Sequence, residues 1–425
     1  MDGPLVIACG ALGLTVGLAV FRPTVRSVEF SPGRAAVLGV AVLLAAGLLS
    51  PPDLVTAARL QWRPLLALTC IMVMTGVVQE VGAFERLAAA IERRARARTA
   101  VHTFTVVFVV SVITPSLLNN DAAILILTPL VVALTRRLYP GEPGLTIAFA
   151  FAVFLAPGVA PFIVSNPMNM IVAEFSGLDF NSYAAVMAPL SIAGAGLTYL
   201  ILRLVFGPAL RAARPVAAGG GETTLHRHAA ERPAVVLLVL VFLAYPVGAA
   251  LGGEIWFVAV AGACGSLALA RLYRVAPARK VAGHVSLDIL AFLWGIFLVV
   301  QGLRHVGAVD WLATIYQRTP AGSGGHLATI GAVSAVGSAL IDNHPMSILN
   351  MMAIDQATGP KPLLAALVGG DIGPRLLPIG SLAGLLWFDL LRRSGVHIGI
   401  GRFLRLGTIV LIPTLALSLL LLWAL

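Results

Sequence analysis

The chain has few charged residues and few cysteines, and each shortage excludes classes of protein. Of the 425 residues, 11% are charged and 59% are hydrophobic, whereas soluble domains carry about 25% charged residues. The three cysteines, Cys9, Cys70 and Cys264, lie far apart and lack the spacing of metal ligands. A disulfide framework and a structural zinc site are therefore excluded. We predict an integral membrane protein without a cofactor.

Basic residues outnumber acidic residues, but this excess does not indicate nucleic-acid binding. The net charge is +10, from 29 Lys and Arg against 19 Asp and Glu. A nucleic-acid-binding protein presents a basic face on a soluble module, and the sequence contains no such module. Loop charge that sets membrane topology explains the excess. The chain also lacks a Walker motif, so we predict that it is not itself an ATPase. Asp342 and His344 form the one near-catalytic pair in the sequence, and no nucleophile or metal-binding motif accompanies them, so we predict that the protein is not an enzyme.

Eight apolar segments approach the roughly 20 residues that cross a bilayer. The first of them has neither the basic leading region nor the cleavage site of a signal peptide. The segments are Pro4–Phe21, Ala35–Ser50, Pro64–Val81, Tyr183–Phe206, Pro233–Leu251, Ile255–Leu272, Leu287–Leu303 and Phe403–Leu425. They predict an all-α polytopic membrane protein.

Basic residues, which prefer cytoplasmic loops, indicate where the chain enters the membrane and returns. The segment of about 100–138 ends in two arginines, which stay inside if the segment forms a re-entrant hairpin. Pro115 is then expected to break the helix near the tip, Asn119–Asp121. A second hairpin, about 325–355, is expected to enter from the outside, with its tip at Asp342–His344. In this scheme both termini are periplasmic, and the charged stretch Glu85–Arg98 forms an interfacial helix.

A polar, glycine-containing stretch at 208–232 is predicted to be a cytoplasmic linker between two halves, 1–207 and 233–425. Each half is expected to hold scaffold helices, a hairpin and a broken transmembrane helix, and the second half is inverted relative to the first. The broken helices are predicted at about 145–174 and 361–391, where Gly and Pro interrupt apolar sequence. Interruptions at corresponding places in two repeats indicate the binding site of a transporter.

Polar side chains are concentrated at the two tips and the two breaks. Neutral amides and hydroxyls can hydrogen-bond a solute without the cost of burying a full charge. The predicted substrate-binding residues are Asn119, Asn120, Asp121, Ser165, Asn166, Asn343, Gly380 and Ser381.

Four titratable residues at the same places are candidates for proton coupling, because charged groups inside a membrane are costly and usually functional. They are Asp121, Asp342, His344 and Asp371. Structural interpretations stay open beside this one. Asp121 could be a helix N-cap, His344 could form only a local hydrogen bond, and Asp371 could pair with Arg375 along a helix.

Several stretches resemble the arsenite permease ArsB family of the ion transporter superfamily. They are Asn120–Pro129, Ile163–Asn166, Phe175–Tyr183, Gly370–Arg375 and Pro378–Trp387, and their order and spacing match along nearly the whole chain. The resemblance implies secondary active efflux of arsenite and antimonite across the bacterial inner membrane, driven by inward proton movement. It also implies an elevator-type transport domain made of the hairpins and broken helices. A soluble arsenite-stimulated ATPase and a second copy of the chain are possible partners.

The chain departs from the family pattern at three places. Residues 156–161 lack the usual acidic residue, the second tip begins with Asp342 instead of Asn, and Asn119 replaces a small residue. Because these changes shift acidity from a break to a tip, two alternatives within the superfamily stay open. One is a sodium/proton antiporter. The other is an oxyanion or dicarboxylate transporter, although such relatives carry Ser-Asn-Thr at both tips.

Overall fold

A computed structural model describes residues 3–25, 28–96, 98–216 and 228–425, and these are helical almost throughout. The only strands in these ranges, β1 (Thr24–Val25) and β2 (Val28–Glu29), form one antiparallel pair. Nine helices within the described ranges are long and apolar enough to cross a membrane. The predicted all-α polytopic fold is confirmed. The middle of the predicted linker, residues 217–227, lies outside the described residues.

The helices before the linker include the first hairpin and the first broken helix. They are α1 (Gly3–Phe21), α2 (Pro32–Ala45), α3 (Pro51–Glu80), α4 (Ala83–Arg96), α5 (Ala100–Leu117), α6 (Asn120–Leu138), α7 (Pro143–Leu155), α8 (Pro167–Ser176) and α9 (Phe180–Ala212), with a 3₁₀ turn at Ile163–Ser165 between α7 and α8.

The helices after the linker include the second hairpin and the second broken helix. They are α10 (Glu231–Ala250), α11 (Ile255–Leu272), α12 (Ala278–Ala282), α13 (Leu287–His305), α14 (Ala308–Tyr316), α15 (Gly324–Ile341), α16 (Asn343–Ala353), α17 (Lys361–Ile372), α18 (Leu382–Arg393) and α19 (Ile400–Ala424), with 3₁₀ turns at Gln356–Thr358, Gly373–Arg375 and Pro378–Gly380.

Local capping chemistry sets where several helices begin. Helix α3 starts well before the predicted Pro64, because Ser50 and Asp53 form a capping box and Pro51 stands at the first helical position. The backbone N–H of Ser50 donates to the Asp53 carboxylate over 2.8 Å. Pro64 therefore lies inside a helix of 30 residues.

The scaffold consists of α1–α3, α10, α11 and α13, and its helices pair across the two halves of the chain. Helix α2 packs against α13, and α3 packs against α11. Small residues permit the first of these contacts. A Cβ atom added to Gly302 would lie 2.7 Å from Leu43, and one added to Gly295 would lie 2.8 Å from Ala36.

The hairpin bundle consists of α5–α9 and α15–α19, and it also interlocks the two halves. Helix α6 of the first hairpin packs against α18, while α16 of the second hairpin packs against α8. Helices α9 and α19 pack against each other. Each hairpin therefore lies against the broken helix of the other half, which brings the tips and the breaks together.

Pro115 does not break the first hairpin, contrary to expectation. Helix α5 continues through it to Leu117, and the chain reverses at Leu118 and Asn119. A proline removes one backbone hydrogen bond, and packed neighbours inside a membrane protein can compensate for that loss. The turn therefore falls at the polar residues instead of at the proline.

Candidate functional site

A small cavity of about 50 Å³ lies where both tips and both breaks meet. A single water needs roughly 10–15 Å³ of such space, so the cavity suits a few waters or one small solute. Of the predicted substrate-binding residues, five line it: Asn120, Ser165, Asn166, Asn343 and Ser381. Asp371 and Arg375 line it as well, together with Ser191 of α9, which the sequence did not indicate.

At the first tip, neighbouring residues have different environments. Asn119 caps α6, and its side chain accepts the backbone N–H of Ala122 over 2.8 Å. Asn119 also lines a separate cavity of about 1520 Å³ between the hairpin and α3 and α4. The Oδ1 atom of Asn120 is buried and has no hydrogen-bond partner in the described ranges. Because Asn119 is the cap, the prediction that Asp121 caps this helix is wrong.

At the second tip, a buried carboxylate and a buried imidazole form a pair. Asp342 caps α16 by accepting the backbone N–H of His344 over 2.9 Å, and the His344 Nδ1 atom lies 2.6 Å from the Asp342 Oδ1 atom. Both residues are 3% exposed. The φ angle of 76° at Asp342 is in the left-handed region that non-glycine residues rarely adopt. The tip is therefore held in a constrained turn.

Asn343 follows this turn and faces the cavity, where its Oδ1 atom is buried without a hydrogen-bond partner among the described residues. The charges of Asp342 and His344 also act on Asp121 across the two tips. Asp121, Asp342 and His344 are not among the described residues that line the cavity. Within the described ranges, the charged residues of the lining are Asp371 and Arg375, while the titratable residues of the two tips lie outside it.

The side chain of Asp371, on α17, reaches the first break and binds N–H groups of Ala160 and Asn166, which we call the amide end of the break. Its carboxylate accepts the backbone N–H of Ala160 over 2.9 Å and the side-chain amide of Asn166, also over 2.9 Å. Asn166 in turn caps α8 by accepting the N–H of Met168. The carboxylate that binds the first break thus comes from the other half of the chain.

Tyr183 of α9 supports the same break and was missed by the sequence analysis as a site residue. Its side chain is fully buried, donates from its hydroxyl to the carbonyl of Ala160 over 3.0 Å, and accepts the amide of Asn169 over 2.6 Å. An aromatic residue near the start of an apolar helix carries no local signal of this role. Only the folded arrangement identifies it.

Arg375 holds the carbonyl end of the first break. Its guanidinium donates to the carbonyls of Leu155, over 2.7 Å, and Pro157, over 3.3 Å, and to the Thr414 hydroxyl of α19 over 2.9 Å. The helical ion pair with Asp371, one of the interpretations that the sequence left open, does not form within the described part of the chain. Helix α17 ends at Ile372, and a 3₁₀ turn then redirects the backbone.

The other predicted residues have mainly structural contacts. Ser381 caps α18 by accepting the N–H of Gly384 over 3.0 Å, and Ser165 donates to the carbonyl of Ser116 over 2.9 Å. Gly380 permits close packing, since an added Cβ would lie 2.9 Å from the Cα atom of Pro374. In the described ranges, no group of three or more His, Cys, Asp or Glu residues could hold a metal ion.

Comparisons with solved structures agree with this architecture. The YdaH transporter of Alcanivorax borkumensis matches with a TM-score of 0.60 and 18% identity, covering 100% of this chain and 98% of its own. The antimetabolite efflux pump MtrF of Neisseria gonorrhoeae matches with a TM-score of 0.52 and 11% identity, covering 100% and 94% of the two chains. At these identities the likeness concerns the fold alone.

Sequence comparisons give the family. The arsenical pump membrane protein of Escherichia coli strain K12 is 30% identical over 98% of this chain and 97% of its own length. The protein of the same name from Yersinia enterocolitica is 29% identical over the same shares. The family model for ArsB, the arsenical pump membrane protein, matches residues 7–425. The chain therefore belongs to the arsenical pump membrane protein family, ArsB, and is a multi-pass membrane transporter.

Proposed function

We propose that the protein exports arsenite and antimonite across the bacterial inner membrane in exchange for protons. The observation that carries this proposal is the cavity between the tips and breaks, because amide and hydroxyl side chains from both halves of the chain line it. The family name of the relatives agrees with an arsenical substrate. The protein acts as a transporter and not as an enzyme.

The lining suits a small neutral solute that carries hydroxyl groups. The Oδ1 atoms of Asn120 and Asn343 are buried acceptors without partners in the described ranges, and a buried acceptor left unpaired is costly. Arsenite near neutral pH is uncharged and has three hydroxyl donors. We assign Asn120 and Asn343 to the solute, with Ser165, Asn166 and Ser381 around it. Asn119 and Gly380 are left with structural roles.

The titratable residues of the two tips suit proton coupling. Asp121 lies near the buried pair of Asp342 and His344, and the charges of all three interact. A proton held by this group changes the charge beside the solute cavity without occupying it. A proton taken up by Asp371 would weaken its bonds to Ala160 and Asn166, so protonation of this carboxylate is proposed to change the shape of the first break.

The transport cycle is proposed to be an elevator movement of the hairpins and broken helices against the scaffold, with both termini in the periplasm. The boundaries of the two inverted repeats, 1–207 and 233–425, belong to this proposal. A soluble ATPase and a second copy of the chain stay predictions that follow from the family resemblance.

The test is arsenite uptake into inside-out membrane vesicles with an imposed proton gradient and no sodium. The proposal predicts gradient-dependent uptake by the wild type and uptake close to background for Asp121→Asn. Asp310→Asn is the matched control, because Asp310 is exposed on α14, and it should transport normally. If wild-type vesicles take up no arsenite, the assignment of arsenite as the substrate is wrong. If Asp121→Asn vesicles take up as much as the wild type, Asp121 does not couple transport to protons.

A further inference from the structure

We propose that Arg375 is a built-in cation that occupies a monovalent cation site at the carbonyl end of the first break. Without its guanidinium, the same oxygen cage is expected to bind a sodium-sized ion. The inference concerns residues on α7, α19 and the turn after α17, and its binding test does not depend on arsenite.

The cage consists of two backbone carbonyls and a hydroxyl that accept hydrogen bonds from Arg375. The last carbonyls of a helix lack intrahelical partners and carry partial negative charge, and Leu155 supplies one of them at the end of α7. The carbonyl of Pro157, two residues beyond the helix, is a second oxygen of the cage. The Thr414 hydroxyl donates its own proton to the carbonyl of Val410 over 2.7 Å. Its lone pairs are thus free to accept from Arg375. In transporters with broken helices, such carbonyls coordinate sodium.

The surroundings of the guanidinium are built to hold a charge in place. Arg375 is 3% exposed. A Cβ atom added to Gly158 would lie 2.9 Å from its Nη2 atom, and one added to Gly407 would lie 1.8 Å from its carbonyl oxygen. Both glycines therefore permit a close approach that a side chain would block. A buried cation needs such compensation, since an unpaired charge in a membrane is costly.

The carboxylate of Asp371 lies nearby in sequence but does not bind the Arg375 guanidinium within the described ranges. Asp371 is bound to Ala160 and Asn166 at the amide end of the same break, while Arg375 binds the carbonyl end. The segment from the end of α17 through the following 3₁₀ turn thus supplies an anion to the N–H groups of the first break and a cation to its carbonyl groups. Because the cation is covalently attached, the cage cannot exchange it for sodium. If the proposed export function holds, transport is independent of sodium.

The test is thermal unfolding of the purified protein in sodium, potassium, choline and low guanidinium at matched ionic strength. Arg375→Ala removes the cation, and its unfolding midpoint should rise by several degrees in sodium or guanidinium relative to choline, since a ligand that binds only the folded state stabilises it. The wild type and Arg375→Lys, which keeps a charge at the cage, should not respond. A double variant Arg375→Ala/Thr414→Val should lose most of the response.

Three outcomes would overturn the inference. One is an Arg375→Ala protein that is folded but has the same unfolding midpoint in every cation. The second is an Arg375→Ala protein that fails to accumulate in membranes even when the cells are supplied with sodium or low guanidinium. A cation that fills the cage should restore the folded variant. A wild-type protein that is itself stabilised by sodium relative to choline would also contradict a cage that is already filled. None of these results depends on whether arsenite is the substrate.

Discussion

Single side chains at the four interruptions divide into those that face the cavity and those that hold the backbone around it. Asn120 and Asn343 line the cavity, and their Oδ1 atoms have no hydrogen-bond partner among the described residues. A second group of side chains instead forms hydrogen bonds with the backbone of the first break, and it consists of Asp371, Tyr183 and Arg375. Mutation of the two groups should therefore have different consequences, loss of solute binding in the first and loss of stability in the second.

Tyr183→Phe tests the backbone-holding group. Removing the hydroxyl leaves the Ala160 carbonyl and the Asn169 amide without their shared partner. A buried polar group left unsatisfied costs about 1–3 kcal/mol, so we expect the variant to unfold at a lower temperature than the wild type in the same detergent.

The control for this measurement is Tyr273→Phe. Tyr273 is 39% exposed, and loss of its hydroxyl does not change the hydrogen bonds of the first break. The control should unfold like the wild type. If Tyr183→Phe is as stable as Tyr273→Phe, the hydroxyl does not hold the break.

At the scale of elements, the sequence predicted positions better than it predicted causes. Residues 100–138 do form two helices, α5 and α6, and the charge of the flanking loops was sufficient to indicate a reversal there. The cause was misplaced, because Pro115 lies within α5 and the turn falls at Asn119. Proline effects depend on the neighbouring helices, and a single sequence does not show those neighbours.

Gly407→Ala tests the packing of α19 against the turn that carries Arg375. The added Cβ would lie 1.8 Å from the backbone oxygen of Arg375, and backbone cannot move aside as a flexible side chain can. Overpacking typically costs about 1–3 kcal/mol and occasionally more, and we expect a loss at or above the upper end, measured by thermal unfolding.

Gly401→Ala, on the same helix, is the matched control. No atom lies within 4 Å of its added Cβ, and alanine is favoured over glycine in a helix by about 1 kcal/mol. It should be at least as stable as the wild type. Equal stability of the two variants would show that α19 does not pack as described.

For the whole molecule, the exchange of partners between halves is what a single sequence could not reveal. Composition and charge predicted an all-α membrane protein with two hairpins and two broken helices. They did not predict that α2 would pack on α13 and α6 on α18. For this reason the sequence left a pair between Asp371 and the nearby Arg375 as one open interpretation, whereas Asp371 binds Ala160 and Asn166 of the other half. Long-range contacts of this kind follow from the assembled fold.

The central claim is that the cavity between the tips and breaks binds the transported solute, and equilibrium binding of arsenite to the purified protein tests it most directly. Asn120→Ala and Asn343→Ala each remove one free acceptor and should weaken binding by about tenfold, the equivalent of one hydrogen bond of about 1.4 kcal/mol. Asn119→Ala is the matched control at the same tip. It should cost about 1 kcal/mol of stability through the lost cap and leave the affinity unchanged.

Weakened arsenite binding in the Asn120 and Asn343 variants, with unchanged affinity in the Asn119 variant, is the result that this account predicts. Wild-type affinity in both the Asn120 and Asn343 variants, or an equal loss in all three, would contradict it.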